Sequence, residues 1–183
     1  ATPSESFSRE NVQQMVASTL LSIEAASALY AQFENNGYDG RDAEYRNAGK
    51  HSTPTGSLEV YYVKENGQAV LYPVDDPQEK YLDARDENGV REAEWYLCSK
   101  DLRRACVLDP YLYEIEEGNE ALMTTLTAPV LKNGQFRGVV GIDINLPVLQ
   151  RWVSEYSQTL FNGAAELTLL SQRNMIAASS AYP

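Results

Sequence analysis

The chain has 183 residues, of which 43% are hydrophobic and 22% charged, so we expect a folded domain with its own core. The formal net charge of −11 argues against nucleic-acid binding, which needs clustered Lys and Arg, and weakly favours small cations as partners. No apolar run approaches the ~18 residues of a membrane span, and both ends look cut, so we expect an excised soluble piece of a larger protein.

The first predicted element is a long helix from Ser8 to about Asn35. Ser8 can cap its start, and Gly37 suits its end. At about 1.5 Å per residue such a helix would be roughly 42 Å long, which favours a stalk that reaches a membrane or a partner. The prediction rests on apolar residues that recur every three or four positions, namely Val12, Met15, Val16, Leu20, Ile23, Tyr30 and Phe33.

Hairpin signals fill the middle of the chain. Asn66-Gly67 and Asn133-Gly134 are turn dipeptides between β-favouring runs, and a loop is expected between the two cysteines. Consecutive hairpins without crossover helices predict an antiparallel sheet flanked by helices, an α+β fold. The predicted strands are 57–63, 69–74, 109–115, 121–130 and 136–146, followed by an amphipathic helix over 147–161 and a last hairpin over 166–170 and 175–178.

The two cysteines, Cys98 and Cys106, lie too far apart for a redox Cys-x-x-Cys motif. A pair that closes a short loop favours a structural disulfide and an oxidising compartment. Two buried free thiols are the alternative.

No metal site and no cofactor are expected. The chain has a single His, which makes a zinc site improbable, and it has no glycine-rich phosphate loop. Asp86, Asn88 and Gly89 echo a calcium loop, but the register then puts Ala84 at the first ligand position and Trp95 at the last, so the pattern fails.

Asp143 is the main candidate functional residue. It stands in an apolar β-run, Val139-Val140-Gly141-Ile142-Asp143-Ile144, where a carboxylate loses hydration and needs a partner. One interpretation is a strand-end residue that caps the helix beginning near Pro147. The other is a pocket residue whose partner is a cationic ligand.

Aromatic residues supply a candidate cage for that cation: Trp95, Tyr96, Tyr111 and Tyr113. Tyr111 and Tyr113 share one strand face, and Glu114 reaches the pocket only if a bulge turns it, so Glu94 is a comparable second carboxylate. The alternative is that these aromatic residues simply form the core. Catalysis by Glu94 and Asp143, as in a glycosidase, is the weakest interpretation.

Four segments carry a family resemblance. Together with the amino-terminal helix they cover about 8–156, and the run ending at Asp143 is the most specific. The chain resembles the double-Cache periplasmic sensor of methyl-accepting chemotaxis receptors, whose modules are PAS-like. The segments are Trp95-Tyr96, Asp109-Pro110-Tyr111-Leu112-Tyr113, the Thr-x-x-x-Pro-Val strand from Thr125, and Gly138-Val139-Val140-Gly141-Ile142-Asp143.

The resemblance implies roles for particular residues. The amino-acid-binding branch has an Arg two residues before the Trp-Tyr pair that grips the ligand carboxylate, and this chain has Ala93 there. The Asp that binds the ligand amine in that branch matches Asp143. A chain that keeps the amine-binding Asp but lacks the carboxylate-binding Arg is more similar to the polyamine- and biogenic-amine-sensing branch.

We therefore expect a non-enzymatic periplasmic sensor domain of an inner-membrane chemoreceptor. Its ligand would be a protonated amine such as putrescine, spermidine or histamine, and the intact, membrane-anchored receptor would be a homodimer. The expected parts are a long helix over 1–40, a membrane-distal module over 41–161 and the incomplete start of a membrane-proximal module over 162–183. The competing hypothesis is an amino-acid or carboxylate sensor, of a receptor, kinase or cyclase, that uses Arg91 or Arg104.

Overall fold

The computed structural model describes residues 7–116 and 119–182, with the backbone alone over 113–116 and 119–121. This part of the chain forms the predicted α+β fold. The helices are α1 Arg9–Ser22, α2 Glu94–Leu102 and α3 Leu146–Thr159. The strands are β1 Ala26–Phe33, β2 Glu59–Glu65, β3 Gln68–Tyr72, β4 Cys106–Val107, β5 Tyr111–Glu116, β6 Asn119–Lys132, β7 Gln135–Asn145, β8 Thr168–Leu170 and β9 Ile176–Ser179.

Seven strands form one antiparallel sheet with the order β3-β2-β1-β7-β6-β4, and β5 also pairs with β6. Strand β1 lies in the middle, between β2 and β7. The Asn66-Gly67 and Asn133-Gly134 turns connect β2 to β3 and β6 to β7, and all four of these residues have positive φ. Strands β8 and β9 form a separate hairpin, packed against α3.

The two faces of the sheet have different covers. Leu29 and Phe33 of β1 face α1, where they pack against Val16 and Leu20. Because side chains alternate along a strand, Tyr30 points to the other face, where α2 and the long 73–92 loop lie. Helix α3 also packs on the α1 face, through Leu149 against Ile144. The sheet is therefore covered on one face by two helices and on the other by a helix and a loop.

The long amino-terminal helix predicted over 8–35 is wrong. Helix α1 ends at Ser22, and 26–33 is the central strand β1. The sequence has no Gly or Pro at this boundary, and β1 is buried on both faces, so its apolar residues do not alternate as those of an edge strand do. Pairing with β2 and β7 stabilises a strand that the local sequence does not indicate.

The other predicted elements are present with shifted ends, with one exception between the cysteines. Cys98 lies inside α2 and Cys106 in β4, so a helix fills half of the expected loop. The two residues form a disulfide with their Cα atoms 6.3 Å apart, which confirms the predicted bond. Within the described residues, no helix is both long and apolar enough to cross a membrane.

Helix α1 is anchored by the buried side chain of Arg9. Its Nε and Nη2 atoms donate hydrogen bonds of 2.9 and 2.7 Å to Asp39, and Nη2 donates another of 2.8 Å to Asp42. The guanidinium also donates to the carbonyl oxygen of Gly56 at 2.6 Å and lies 4.1 Å from the ring centre of Tyr45. This network ties the start of α1 to the loop between β1 and β2.

Removing Arg9 should therefore be costly. We expect Arg9→Ala to lower the free energy of unfolding by about 3–5 kcal/mol, because it leaves two largely buried carboxylates without a cation. Urea denaturation measures this change. Arg41→Ala is the matched control, since that Arg pairs with Glu44 at the surface and should contribute less than about 1 kcal/mol. Equal losses in the two variants would contradict this account.

Candidate functional site

A cavity of about 880 Å³ lies on the face of the sheet opposite α1. This volume is within the range of sites for small molecules. Its wall combines five parts of the chain: strands of the sheet, helix α2, the 73–92 loop, the 108–110 segment between β4 and β5, and the turn between β8 and β9. The strand residues on this wall are Tyr30, Gln32, Tyr61, Tyr72, Tyr111, Thr125 and Asp143.

Asp143 is the buried acid of this cavity. Strand β7 places Val139, Gly141 and Asp143 on one face, whereas Ile142 and Ile144 pack on the other. The Asp143 side chain lines the cavity, and the residue is only 8% exposed. The capping role considered from the sequence is absent, because the N-cap of α3 is Asn145.

A short polar chain holds the carboxylate. Thr125, opposite Asp143 in the register of β6 and β7, donates a 2.7 Å hydrogen bond from Oγ1 to Oδ1 of Asp143. The Tyr111 hydroxyl lies 3.0 Å from the same Thr125 oxygen. Among the described residues, no Lys, Arg or His forms an ion pair with Asp143. Burial therefore raises the pKa of Asp143 to about 6, an effect that the Thr125 hydrogen bond only partly offsets.

Aromatic rings line the same cavity as this carboxylate. The ring centres of Tyr30 and Trp95 are 5.3 Å apart, and those of Tyr30 and Tyr61 are 6.2 Å apart, both with edge-to-face geometry. Tyr111 adds a further ring to the wall. The structure therefore brings Trp95, Tyr111 and Asp143 to one cavity, and the aromatic faces can attract a cation there.

Tyr96 does not line the cavity. Residues 95 and 96 lie on a helix rather than a strand, so their side chains point about 100° apart. Tyr96 is fully buried and donates a 2.8 Å hydrogen bond to Glu34, which also accepts one from Lys100. Its expected role as a pocket wall is replaced by a role in the core.

For two further predicted site residues the structure describes only the backbone. Tyr113 and Glu114 lie in β5 by their backbone, but their side chains are outside the described residues. Glu94, the alternative second carboxylate, lines the cavity and accepts a 2.6 Å hydrogen bond from Arg91.

The described cavity wall has a surplus of negative charge. Eight carboxylate residues line it, against three basic ones. Each basic residue has a neighbour of its own: Lys80 pairs with buried Glu59, Arg91 bridges Glu94 and Asp101, and Arg173 donates to a carbonyl oxygen. This charge favours a cationic guest. The acidic residues are Asp75, Asp76, Glu79, Asp86, Glu92, Glu94, Asp109 and Asp143.

The arginine residues that could bind a carboxylate ligand differ in their position relative to the cavity. Arg91 lies on the wall but holds Glu94 and Asp101 at 2.6 Å each, and Arg104 is not a lining residue. Arg173 also lines the cavity, and its nearest carboxylate, that of Asp109, is 3.7 Å away.

Sequence reasoning missed two parts of the wall. Tyr30 was assigned to a helix, so its place opposite Gly141 in the sheet was not visible. The β8–β9 turn contributes Gln172, Arg173 and Met175, and its Ser171 donates a hydrogen bond to Asp109. No local pattern indicates that a turn so late in the chain reaches this cavity.

The fold and the cavity together define an α+β domain with a cavity of ligand size on one face of an antiparallel sheet. Residues 12–151 match the family described as methyl-accepting chemotaxis protein-like, first PDC sensor domain. The chain belongs to that family.

Individual relatives agree with this assignment. The methyl-accepting chemotaxis protein TlpQ of Pseudomonas aeruginosa is 28% identical over 173 residues, which are 94% of this chain and 24% of that protein. This chain thus spans about a quarter of its curated relative.

Two solved structures share the fold, and at their level of identity they show the fold alone. The extracellular domain of a protein described as a histidine kinase, mmHK1S-Z2, matches with a TM-score of 0.61 and 21% identity, over 95% of this chain and 58% of that one. The ligand-binding domain of the Campylobacter jejuni chemoreceptor Tlp3, solved with L-valine, matches with a TM-score of 0.52 and 20% identity, over 93% of this chain and 51% of that one.

The raised pKa of Asp143 predicts how stability changes with pH. The folded carboxyl binds its proton more tightly than the unfolded one, so the free energy of unfolding decreases as pH rises from about 4 to above 6. The side chain of the Asp143→Asn variant is neutral at every pH, so its free energy of unfolding lacks this dependence. Relative to the wild type, the variant should therefore gain about 2–3 kcal/mol in the free energy of unfolding between pH 4 and pH 7.5. Urea denaturation at both pH values measures this difference. Asp83→Asn, at an exposed site, is the control, and a pH-independent difference for Asp143→Asn would contradict the prediction.

Proposed function

We propose that this domain is the ligand-binding part of a bacterial chemoreceptor and that its ligand is a small protonated amine such as putrescine, spermidine or histamine. The observation that carries the proposal is the buried Asp143 carboxylate, which lines a ligand-sized cavity without a cationic partner among the described residues. An ammonium group is the partner that such a carboxylate requires.

The surroundings of Asp143 support a cation that also carries apolar surface. Trp95 and Tyr111 offer ring faces, each worth roughly 0.5–2 kcal/mol toward an ammonium group. The carbon chain of a polyamine, or the ring of histamine, would pack against the same residues. The eight carboxylates of the wall would then draw the ligand in and hold a second positive charge, with Glu94 or Glu114 as its counterpart.

An amino-acid or carboxylate ligand is the second candidate. It is supported by Arg91 and Arg173 on the cavity wall and by the L-valine complex of a protein with this fold. Ala93 stands where the resembling amino-acid sensors have their carboxylate-binding Arg, and Arg91 already neutralises two acids. These two features favour the amine.

The domain would have a defined place in the whole receptor. In the whole receptor the domain would be the membrane-distal module on the periplasmic side of the inner membrane, anchored by other segments and paired with a second copy. Residues 162–183 would begin the membrane-proximal module. Ligand binding would favour one of two packings of the sheet and its helices, limited by the difference in affinity for the two. The signal would pass to the output domain of a receptor, kinase or cyclase.

A thermal-shift panel tests the ligand class. Putrescine and histamine should raise the melting temperature of the domain, whereas serine and acetate should not, because a ligand stabilises the state that binds it. Asp143→Asn should abolish the shift, and exposed Asp83→Asn should keep it. Stabilisation by serine or acetate, with none by the amines, would refute the amine assignment.

The affinity should also depend on pH in a defined direction. Only the ionised carboxylate attracts an ammonium group, and the pKa of Asp143 is raised to about 6. We expect binding to be about tenfold weaker at pH 5 than at pH 7 and to level off above pH 7. Isothermal titration calorimetry of putrescine measures this, and constant affinity across that range would exclude Asp143 as the group that binds the ammonium.

A further inference from the structure

We infer that the hydroxyl of Tyr30 is the second group that binds the ammonium, and that it makes the site select primary amines over N-methylated ones. The inference rests on the proposed function, since it concerns the same cavity. It assigns a ligand contact to a residue that no sequence pattern singles out and narrows the ligand class from amines to primary amines.

The Tyr30 hydroxyl is buried and unsatisfied. Tyr30 is 4% exposed and lines the cavity, and its hydroxyl has no hydrogen-bond partner within the described part of the chain. Its ring packs edge-to-face on Trp95 and Tyr61. A Phe ring would pack in the same way, so packing explains the ring but not the oxygen. A buried hydroxyl without a partner is unfavourable, and a ligand that supplies one accounts for its presence.

The backbone places this hydroxyl over Gly141, on the face of β7 that carries Asp143. Tyr30 of β1 pairs with Gly141 of β7, and the Tyr30 ring lies directly over that glycine. A Cβ atom at position 141 would be only 2.2 Å from the Tyr30 oxygen, so any other residue there would displace the ring. Asp143 follows two residues later on the same face of β7. The absence of a side chain at Gly141 thus leaves room for the hydroxyl on the face of β7 that carries the carboxylate.

The two groups line the same cavity and interact electrostatically, but no hydrogen bond joins them. The charge of Asp143 adds to burial in raising the pKa of Tyr30, which keeps the hydroxyl protonated. Asp143 accepts its hydrogen bond from Thr125, and none joins it to Tyr30. The Tyr30 oxygen is enclosed in the ligand-free protein and has no partner among the described residues, so a ligand reaches it by a small displacement of the side chains around it.

A primary ammonium group fits this pair. It carries three N–H donors, of which Asp143 can accept one and the Tyr30 oxygen a second. A dimethylated ammonium keeps the charge but has a single N–H, which the carboxylate takes. Its methyl groups then face a hydroxyl whose oxygen stays unsatisfied. Charge alone would not discriminate the two, so the discrimination depends on Tyr30.

Calorimetry with matched ligands tests the inference. Putrescine and histamine are each compared with the analogue that has two methyl groups on every aliphatic nitrogen, in the wild type, Tyr30→Phe and Asp143→Asn. We expect the wild type to prefer the primary amine by about tenfold or more. Tyr30→Phe should lose about tenfold for the primary amine and less than twofold for the methylated one, with an unchanged or higher melting temperature. Tyr156→Phe, at an exposed site, is the control.

The outcomes separate the two proposals. If Tyr30→Phe keeps the wild-type preference while Asp143→Asn abolishes binding, the role of Tyr30 is wrong and the amine site stands. If Tyr30→Phe weakens both ligands equally and lowers the melting temperature, Tyr30 is structural and the inference fails. If the wild type binds neither amine, the proposed function fails and the inference with it.

Discussion

The binding properties of the cavity depend on one unfavourable arrangement. The Asp143 carboxylate is buried, and no described residue supplies a cation for it. Burial of an ion is costly, and Thr125 offsets only part of that cost through one hydrogen bond. The remaining cost is stored in the ligand-free protein and would be recovered when an ammonium group enters. A site of this kind loses stability in order to gain affinity, which is a common compromise at functional sites.

The rest of the structure keeps this arrangement in place. The central strand β1 is paired on both sides, and Arg9 fixes the start of α1 to the loop between β1 and β2 through buried ion pairs. The cover of the cavity is different in character, since much of it is an exposed acidic loop and the turn between β8 and β9. A ligand held by the sheet can therefore also contact segments that are less tightly packed, and binding can change how those segments sit.

Both the family and the fold class followed from local patterns. The run that ends at Asp143 is a continuous apolar strand with one acid. This pattern predicts a buried strand that contains a carboxylate, whatever the position of the strand in the sheet. The Asn-Gly turns require positive φ, so they specified two hairpins without reference to the rest of the chain. The Cys98–Cys106 pair was predicted from its spacing, and the structure confirms the bond. Tyr96 was misplaced because the segment around Trp95 is a helix, in which neighbouring residues do not share a face.

The sequence by itself determined the α+β class, the hairpins, the disulfide and the acid in the apolar strand, because each depends on residues that are near one another in the chain. The tertiary structure alone decided that 26–33 is a central strand, that Tyr30 stands over Gly141, and that the β8–β9 turn reaches the cavity. These features depend on pairing and packing between segments that are far apart in the chain, such as β1 with β7. Such contacts leave no periodic pattern in either segment, so only the folded chain shows them.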